Sequence, residues 1–248
     1  MRPGGARGHR RGARYDGTMT SPAPAAVLWD MDGTLVDTEP FWMAAETPLV
    51  ERFGGTWSHA QALGMVGLAL EDSARLLQNA GVPWGVDEII AHLTDEVLRQ
   101  LAVEGVPFRP GARELLADLR RSGVKTALVT MSMRRMALSV VELIDFPAFD
   151  VVVAGDDVTR PKPHPDPYLQ AADALGVSIV DTVAIEDSPN GLRSAIASGA
   201  VTLGVPLLVS LDGVGAHDLW PTLEGRGAAD LAALHLTHAA ATNPQETR

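Results

Sequence analysis

The chain has 248 residues, a formal charge of −11, 46% hydrophobic residues and no cysteine. That length and apolar content suffice for a buried core, while the missing cysteine excludes disulfides, thiolate metal sites and thiol nucleophiles, which fits a cytoplasmic protein. No run of about 18 apolar residues occurs, so no transmembrane helix and no membrane partner are expected.

In chain order, residues 1–18 set five arginines against one acid, a net +4 that leaves −15 on the rest of a chain totalling −11. This start lacks the apolar stretch of a secretory signal and, with the Pro/Ala linker after it, reads as a disordered tail over residues 1–25. A body at −15 repels polyanions at long range, so no nucleic-acid partner is expected, and a phosphorylated ligand has to be gripped by a few local cations. Lys125 and Lys162 are the only lysines.

Ala26-Val27-Leu28-Trp29 is a short apolar run ending in an acid, the pattern of a buried parallel strand. Similar runs recur at Lys125 to Thr130, Phe149 to Ala154, Thr182 to Ile185 and Ala200 to Val205, with amphipathic helical stretches between them. Such alternation predicts an α/β fold: a Rossmann-like parallel sheet wrapped by helices. From Val36 to Phe108 the rhythm breaks, leaving only helical periodicity around Glu39 to Phe53, Leu70 to Ala80 and Val86 to Val103. The expected division is therefore an α/β core over 26–35 and 109–234, an inserted all-helical cap over 36–108, and a frayed tail over 235–248. The turn-forming Pro107-Phe108-Arg109-Pro110-Gly111 suits the hinge back into the core.

Ligands of an open parallel sheet bind beyond the carboxyl ends of its strands. Asp30-Met31-Asp32-Gly33-Thr34 places two carboxylates two residues apart at the end of the first strand. One can attack a phosphoryl group while the other protonates the leaving oxygen and later deprotonates water. Glu186-Asp187-Ser188 follows another strand, and four acids at one sheet edge repel one another without a cation. Mg²⁺ takes oxygen ligands and bridges to phosphate, so Asp30, Asp187 and the Asp32 carbonyl form a candidate set, with Asp187 favoured over Glu186. Asp187 also suits a helix cap, and the two roles are compatible.

Lys162 lies among three prolines in Arg160-Pro161-Lys162-Pro163-His164-Pro165. A loop so stiffened can hold an ammonium beside Asp30 and the phosphoryl oxygens. His164, between prolines, reads as a packing or surface residue. Thr130 and Ser132 follow the second strand, where hydroxyl and amide groups can contact a phosphoryl group or substrate.

These elements in this order resemble the haloacid dehalogenase superfamily of aspartate-nucleophile phosphohydrolases, through DMDGTLVDTE at 30–39, KPHPDPYL at 162–169 and EDSPNGLRSAIASGA at 186–200. The resemblance implies that Asp30 is the nucleophile, Asp32 the acid/base, Thr130 and Lys162 the phosphoryl clamp, and Glu186 and Asp187 the metal end. Dehalogenases lack the second aspartate, since displacing halide needs no leaving-group proton, so Asp32 argues for phosphoryl transfer. β-Phosphoglucomutase, the alternative within the same branch, holds its non-reacting phosphate with a cap arginine and carries a histidine after the first motif. By alignment through Gly67 and Glu71-Asp72-Ser73, those positions are Leu70 and Trp42 here. DTEPFW at 37–42 instead resembles sugar- and hexitol-phosphate phosphatases. The expectation is a Mg²⁺-dependent phosphatase of a small phosphorylated metabolite, monomer or weak homodimer, with Trp42, Gly67, Leu68, Leu70 and Ser132 around the substrate.

Overall fold

The computed structural model describes residues 23–239. Six strands form one sheet: β1 (Ala26–Trp29), β2 (Lys125–Val129), β3 (Val151–Val153), β4 (Thr182–Glu186), β5 (Val201–Gly204) and β6 (Asp218–Leu219). Their spatial order is β3-β2-β1-β4-β5-β6, and every neighbouring pair is parallel. β1 is buried throughout because both faces are covered. Val27 and Trp29 join one apolar cluster, while Ala26 and Leu28 join the cluster on the opposite face. That two-sided burial explains why the strand is continuously apolar rather than alternating.

Between β1 and β2 the chain makes only helices: α1 (Glu39–Arg52), α2 (His59–Leu63), α3 (Leu70–Asn79) and α4 (Val86–Glu104), followed by α5 (Ala112–Arg121). The first four form the inserted helical cap, and its two connections to the core lie side by side, where Val36 bridges Phe108. Beyond β2 come α6 (Arg134–Glu142), α7 (Asp166–Leu175), α8 (Pro189–Ser198) and α9 (Ala228–Ala239).

Three features differ from the sequence reading. Helix α2 appears where no helix was expected, started by a capping box in which the Ser58 hydroxyl accepts from the Gln61 amide at 3.3 Å. Strand β6 is only two residues long and carries no periodicity, and it exists because its backbone pairs with Leu203 and Gly204 of β5. The expected frayed tail from His235 is instead helical to Ala239, with His235 buried; apolar packing of Leu231 and Leu234 carries the helix onward. Of the predicted tail and linker over residues 1–25, residues 1–22 lie outside the described residues, as do 240–248 of the C-terminal tail, while Ala25 already donates its amide to the Asp181 carbonyl at 2.7 Å. No helix among the described residues is long and apolar enough to cross a membrane.

The order 3-2-1-4-5-6 puts the topological switch point between β1 and β4, which opens a crevice beyond their carboxyl ends. Asp30 begins there, its amide donating to the Ile185 carbonyl at 3.1 Å.

Candidate active site

The turn after β1 is wound around one carbonyl. Met31 O accepts from the amides of Thr34, Leu35 and Val36 at 3.3, 2.9 and 3.0 Å, while the Met31 side chain is fully buried. The winding sends Asp30 and Asp32 to different neighbours. It also needs Gly33, whose φ is +84° and whose missing Cβ would stand 2.1 Å from Asp187 Oδ2.

Lys162 Nζ donates to Asp30 Oδ1 at 2.7 Å, Glu186 Oε1 at 2.7 Å and the Val129 carbonyl at 2.9 Å, so all three ammonium hydrogens are used. Its side chain is 3% exposed. Burial opposes the charge, but Asp30 and Glu186 outweigh it and raise the Lys162 pKa. Tyr168 OH donates to Glu186 Oε1 at 2.6 Å, and the Tyr168 ring lies 5.1 Å from the ammonium. Glu186 thus supports the lysine from below, and Gly191 leaves it room, since a Cβ there would meet Glu186 Oε1 at 2.0 Å.

Carboxylate oxygens of Asp30, Glu186 and Asp187 come within 4.8 Å of one another. Burial first, then Glu186, pushes Asp30 up to about 7 against the opposing pull of Lys162. Burial and the charges of Asp30 and Glu186 likewise push Asp187 well above the usual carboxylate range. Asp30 Oδ2 and Asp187 Oδ2 are buried with no hydrogen-bond partner among the described residues. An unsatisfied buried polar atom costs about 1–3 kcal/mol, and more if charged. Three carboxylates against one ammonium, with two oxygens left unpaired at the switch point, fit a hard divalent cation held by oxygen ligands.

Asp32 faces away from this cluster and toward the cap. Its Oδ1 accepts from Thr38 Oγ1 and from Trp42 Nε1 at 3.2 Å; its Oδ2 accepts from Ser132 Oγ at 2.6 Å and Thr130 Oγ1 at 3.4 Å. Trp42 and Ser132, expected around the substrate, therefore hold the second aspartate, and Thr130, expected at the phosphoryl group, reaches the same carboxylate. Leu68 and Leu70 line a cavity of about 80 Å³ between cap and core, together with Gly67. Gly67 meets the core directly, its carbonyl accepting from Asn190 Nδ2 at 3.4 Å. His164 is exposed.

Several residues at the site carried no clear signal in the sequence. Arg109, in the expected hinge, is buried and donates to the carbonyls of Gly33 at 2.6 Å, Val205 at 2.8 Å and Pro206 at 3.3 Å, tying the β1 turn to the end of β5. Tyr168 sits inside the quoted KPHPDPYL run but was not singled out. Glu39 and Glu46 also line the cavity; their spacing of seven around Trp42 puts them on one helix face, a signal available in the sequence.

Residues 27–205 match the family model of the haloacid dehalogenase-like hydrolases. The chain belongs to this family. Among haloacid dehalogenase-like hydrolases it is 32% identical over 190 residues to hexitol phosphatase B of Escherichia coli, covering 73% of this chain and 83% of that one. It is 33% identical over 202 residues to a phosphoglycolate phosphatase of Salmonella typhimurium, with coverages of 72% and 80%. Its fold matches the crystal structure of CbbY from Rhodobacter sphaeroides in complex with phosphate with a TM-score of 0.76 at 29% identity, over 84% of this chain and 98% of CbbY. The family and the cap-on-core architecture read from the sequence are thereby borne out.

Proposed function

We propose that the protein is a Mg²⁺-dependent phosphatase that transfers the phosphoryl group of a small sugar or polyol phosphate first to Asp30 and then to water. The observation carrying this reading is the division of labour between two carboxylates two residues apart. Asp30 is clamped at 2.7 Å by a buried lysine, whereas Asp32 is held by four other donors, Thr38 and Trp42 of the cap and Thr130 and Ser132 of the core. The relatives named as phosphatases of hexitol phosphate and phosphoglycolate support the same class of reaction.

In the first half-reaction an oxygen of Asp30 attacks phosphorus in line, the P–O bond to the alcohol breaks, and protonated Asp32 gives its proton to the departing oxygen. In the second, Asp32 takes a proton from water as that water attacks the aspartyl phosphate, releasing phosphate and restoring the Asp30 carboxylate. Lys162 neutralises Asp30 and faces the phosphoryl oxygens. Asp30, Asp187 and the Asp32 carbonyl would hold Mg²⁺, with Glu186 beside them; when bound, the ion supplies charge neutralisation for the carboxylates and the phosphoryl oxygens. Thr38, Trp42, Thr130 and Ser132 orient Asp32. Because a cavity of about 80 Å³ is too small for a sugar phosphate, substrate enters by movement of the cap over residues 36–108, whose return excludes water.

A sugar-phosphate mutase must grip a second phosphate, and the cavity offers Leu70 where that grip is required and Trp42 at the position of the mutase's histidine, with Lys162 its only cation among the described residues. Hydrolysis is favoured accordingly. The test is phosphate release from a panel of sugar, polyol and carboxylate phosphates with Mg²⁺, with EDTA, and with Asp30→Asn. Release abolished by EDTA and by the substitution is expected; a folded Asp30→Asn protein that keeps its turnover overturns the nucleophile.

A further inference from the structure

Helix α1 presents Glu39, Trp42 and Glu46 to the cavity between cap and core. The helix begins beside Thr38, which touches Asp32, so Glu39 stands near the reacting groups and Glu46 about 10 Å further along the axis. Both residues are buried, at 9% and 5% exposure. Glu39 has no hydrogen-bond or ion-pair partner among the described residues. Glu46 has one: its Oε2 accepts from Trp57 Nε1 at 3.0 Å. Its Oε1 makes no hydrogen bond among the described residues, and the residue lines the cavity.

Burying two carboxyl groups in this way is costly and does not help the cap to fold, since apolar residues would pack better there. Among the described residues no arginine lines the cavity, and the three donors of Lys162, the one cation there, are already committed. A substrate tail running from the phosphoryl site along α1 therefore meets hydrogen-bond acceptors with apolar walls, Trp42, Leu68 and Leu70, between them. Above about pH 7, where Glu46 ionises, a second phosphate or a carboxylate there would face like charge with no counter-ion among the described residues. Hydroxyl groups answer the arrangement: each donates to a carboxyl oxygen, while the C–H faces of the carbon chain lie on the apolar walls.

Resting on the phosphatase reading, we infer that Glu46, with Glu39, is the specificity determinant of this site and selects a neutral polyhydroxylated monophosphate over substrates with a distal anion. The relatives include both a hexitol phosphatase and a phosphoglycolate phosphatase, so their names leave this choice open.

The experiment compares kcat/KM at about pH 8, where Glu46 is chiefly ionised, for sorbitol phosphate, phosphoglycolate, xylulose bisphosphate and glucosamine phosphate, with wild type and Glu46→Gln. Wild type is expected to prefer sorbitol phosphate over phosphoglycolate by about 100-fold, the scale of a charged hydrogen bond gained against like-charge repulsion. Glu46→Gln keeps an acceptor for Trp57 but removes the charge and adds a donor. It should lower the sorbitol phosphate value roughly tenfold or more and raise the phosphoglycolate value, collapsing the ratio. A folding defect lowers both values by one factor and leaves the ratio as it was, and an unchanged ratio overturns the assignment. Preference of wild type for phosphoglycolate or the bisphosphate overturns it too, as does a tenfold preference for glucosamine phosphate, which would make the carboxylates readers of a cation. Equal turnover of all four refutes only this inference, whereas release of phosphate from none of them refutes the phosphatase reading beneath it.

Discussion

Replacing Arg109 with methionine separates the anchoring of the catalytic turn from the chemistry itself. Arg109 is 8% exposed and gives two short hydrogen bonds, 2.6 Å to Gly33 O and 2.8 Å to Val205 O, and a longer one of 3.3 Å to Pro206 O. Hydrogen bonds from a charged donor are worth about 1.5–3 kcal/mol each, so losing the two short ones removes roughly 3–6 kcal/mol and strands two carbonyls. Part of this is returned because burial disfavours the guanidinium, which lowers its pKa, and because methionine fills most of the volume. A net loss of about 2–4 kcal/mol follows, or roughly 5–15 °C in Tm for a chain of this size. Since Gly33 is next to Asp32 and packs on Asp187, the loosened turn should also lower kcat by tenfold or more, as small displacements of reacting groups do. Arg109→Lys should recover little, because an ammonium cannot match the planar fork. Urea unfolding and steady-state kinetics measure both effects. A change under about 1 kcal/mol with kcat intact would refute the claim that this arginine holds the site.

Other perturbations have equally definite outcomes. Trp42→Phe keeps the apolar wall but removes the N–H on Asp32 Oδ1, so kcat should fall about tenfold, the worth of one hydrogen bond to a charged group; an unchanged kcat would reduce Trp42 to a wall. For the metal-free protein the pH dependence is dominated by Asp30 at about 7, Glu39 at about 8 and Glu46 at about 7, with Asp187 raised in the same sense, all chiefly by burial, against the smaller opposite contribution of His217, which burial lowers. These acids hold protons in the folded state that the unfolded chain has released, so stability falls as pH rises from about 5 to 8.5. The acids with lowered values, Asp118, Asp150 and Asp157, are ionised in both states over this window and contribute no slope there. Chemical denaturation at pH 6 and pH 8.5 should show the metal-free protein more stable at pH 6 by at least about 1 kcal/mol. Mg²⁺ should narrow the difference by occupying the carboxylates at high pH. Rising stability across the same window would contradict the burial argument.

Much of the architecture is legible because its signals are local. A strand covered on both faces must be continuously apolar, and the run from Ala26 to Trp29 is. A carboxylate pair at a strand end needs only two residues' separation, and the prolines around Lys162 declare a rigid loop. Local signals fail where an element is made by its neighbours. Strand β6 has two exposed residues and exists through pairing with β5, and the helix through His235 is stabilised by what it packs on.

By itself, the sequence determined the family, the parallel sheet with its helical insertion, and the identity of the acids and the lysine expected at the sheet edge, since each follows from short-range spacing and from strand ends that must converge. Only the tertiary structure decided which side chain meets which. It turned Asp30 toward Lys162 and Asp32 toward Trp42 and Ser132, left oxygens of Asp30 and Asp187 unpaired, and brought Arg109 onto a carbonyl 76 residues away. It also aimed Glu39 and Glu46 into the cavity. Those choices depend on chain segments far apart in sequence being packed together, and a hydrogen bond forms only where packing has set the distance and direction between its partners.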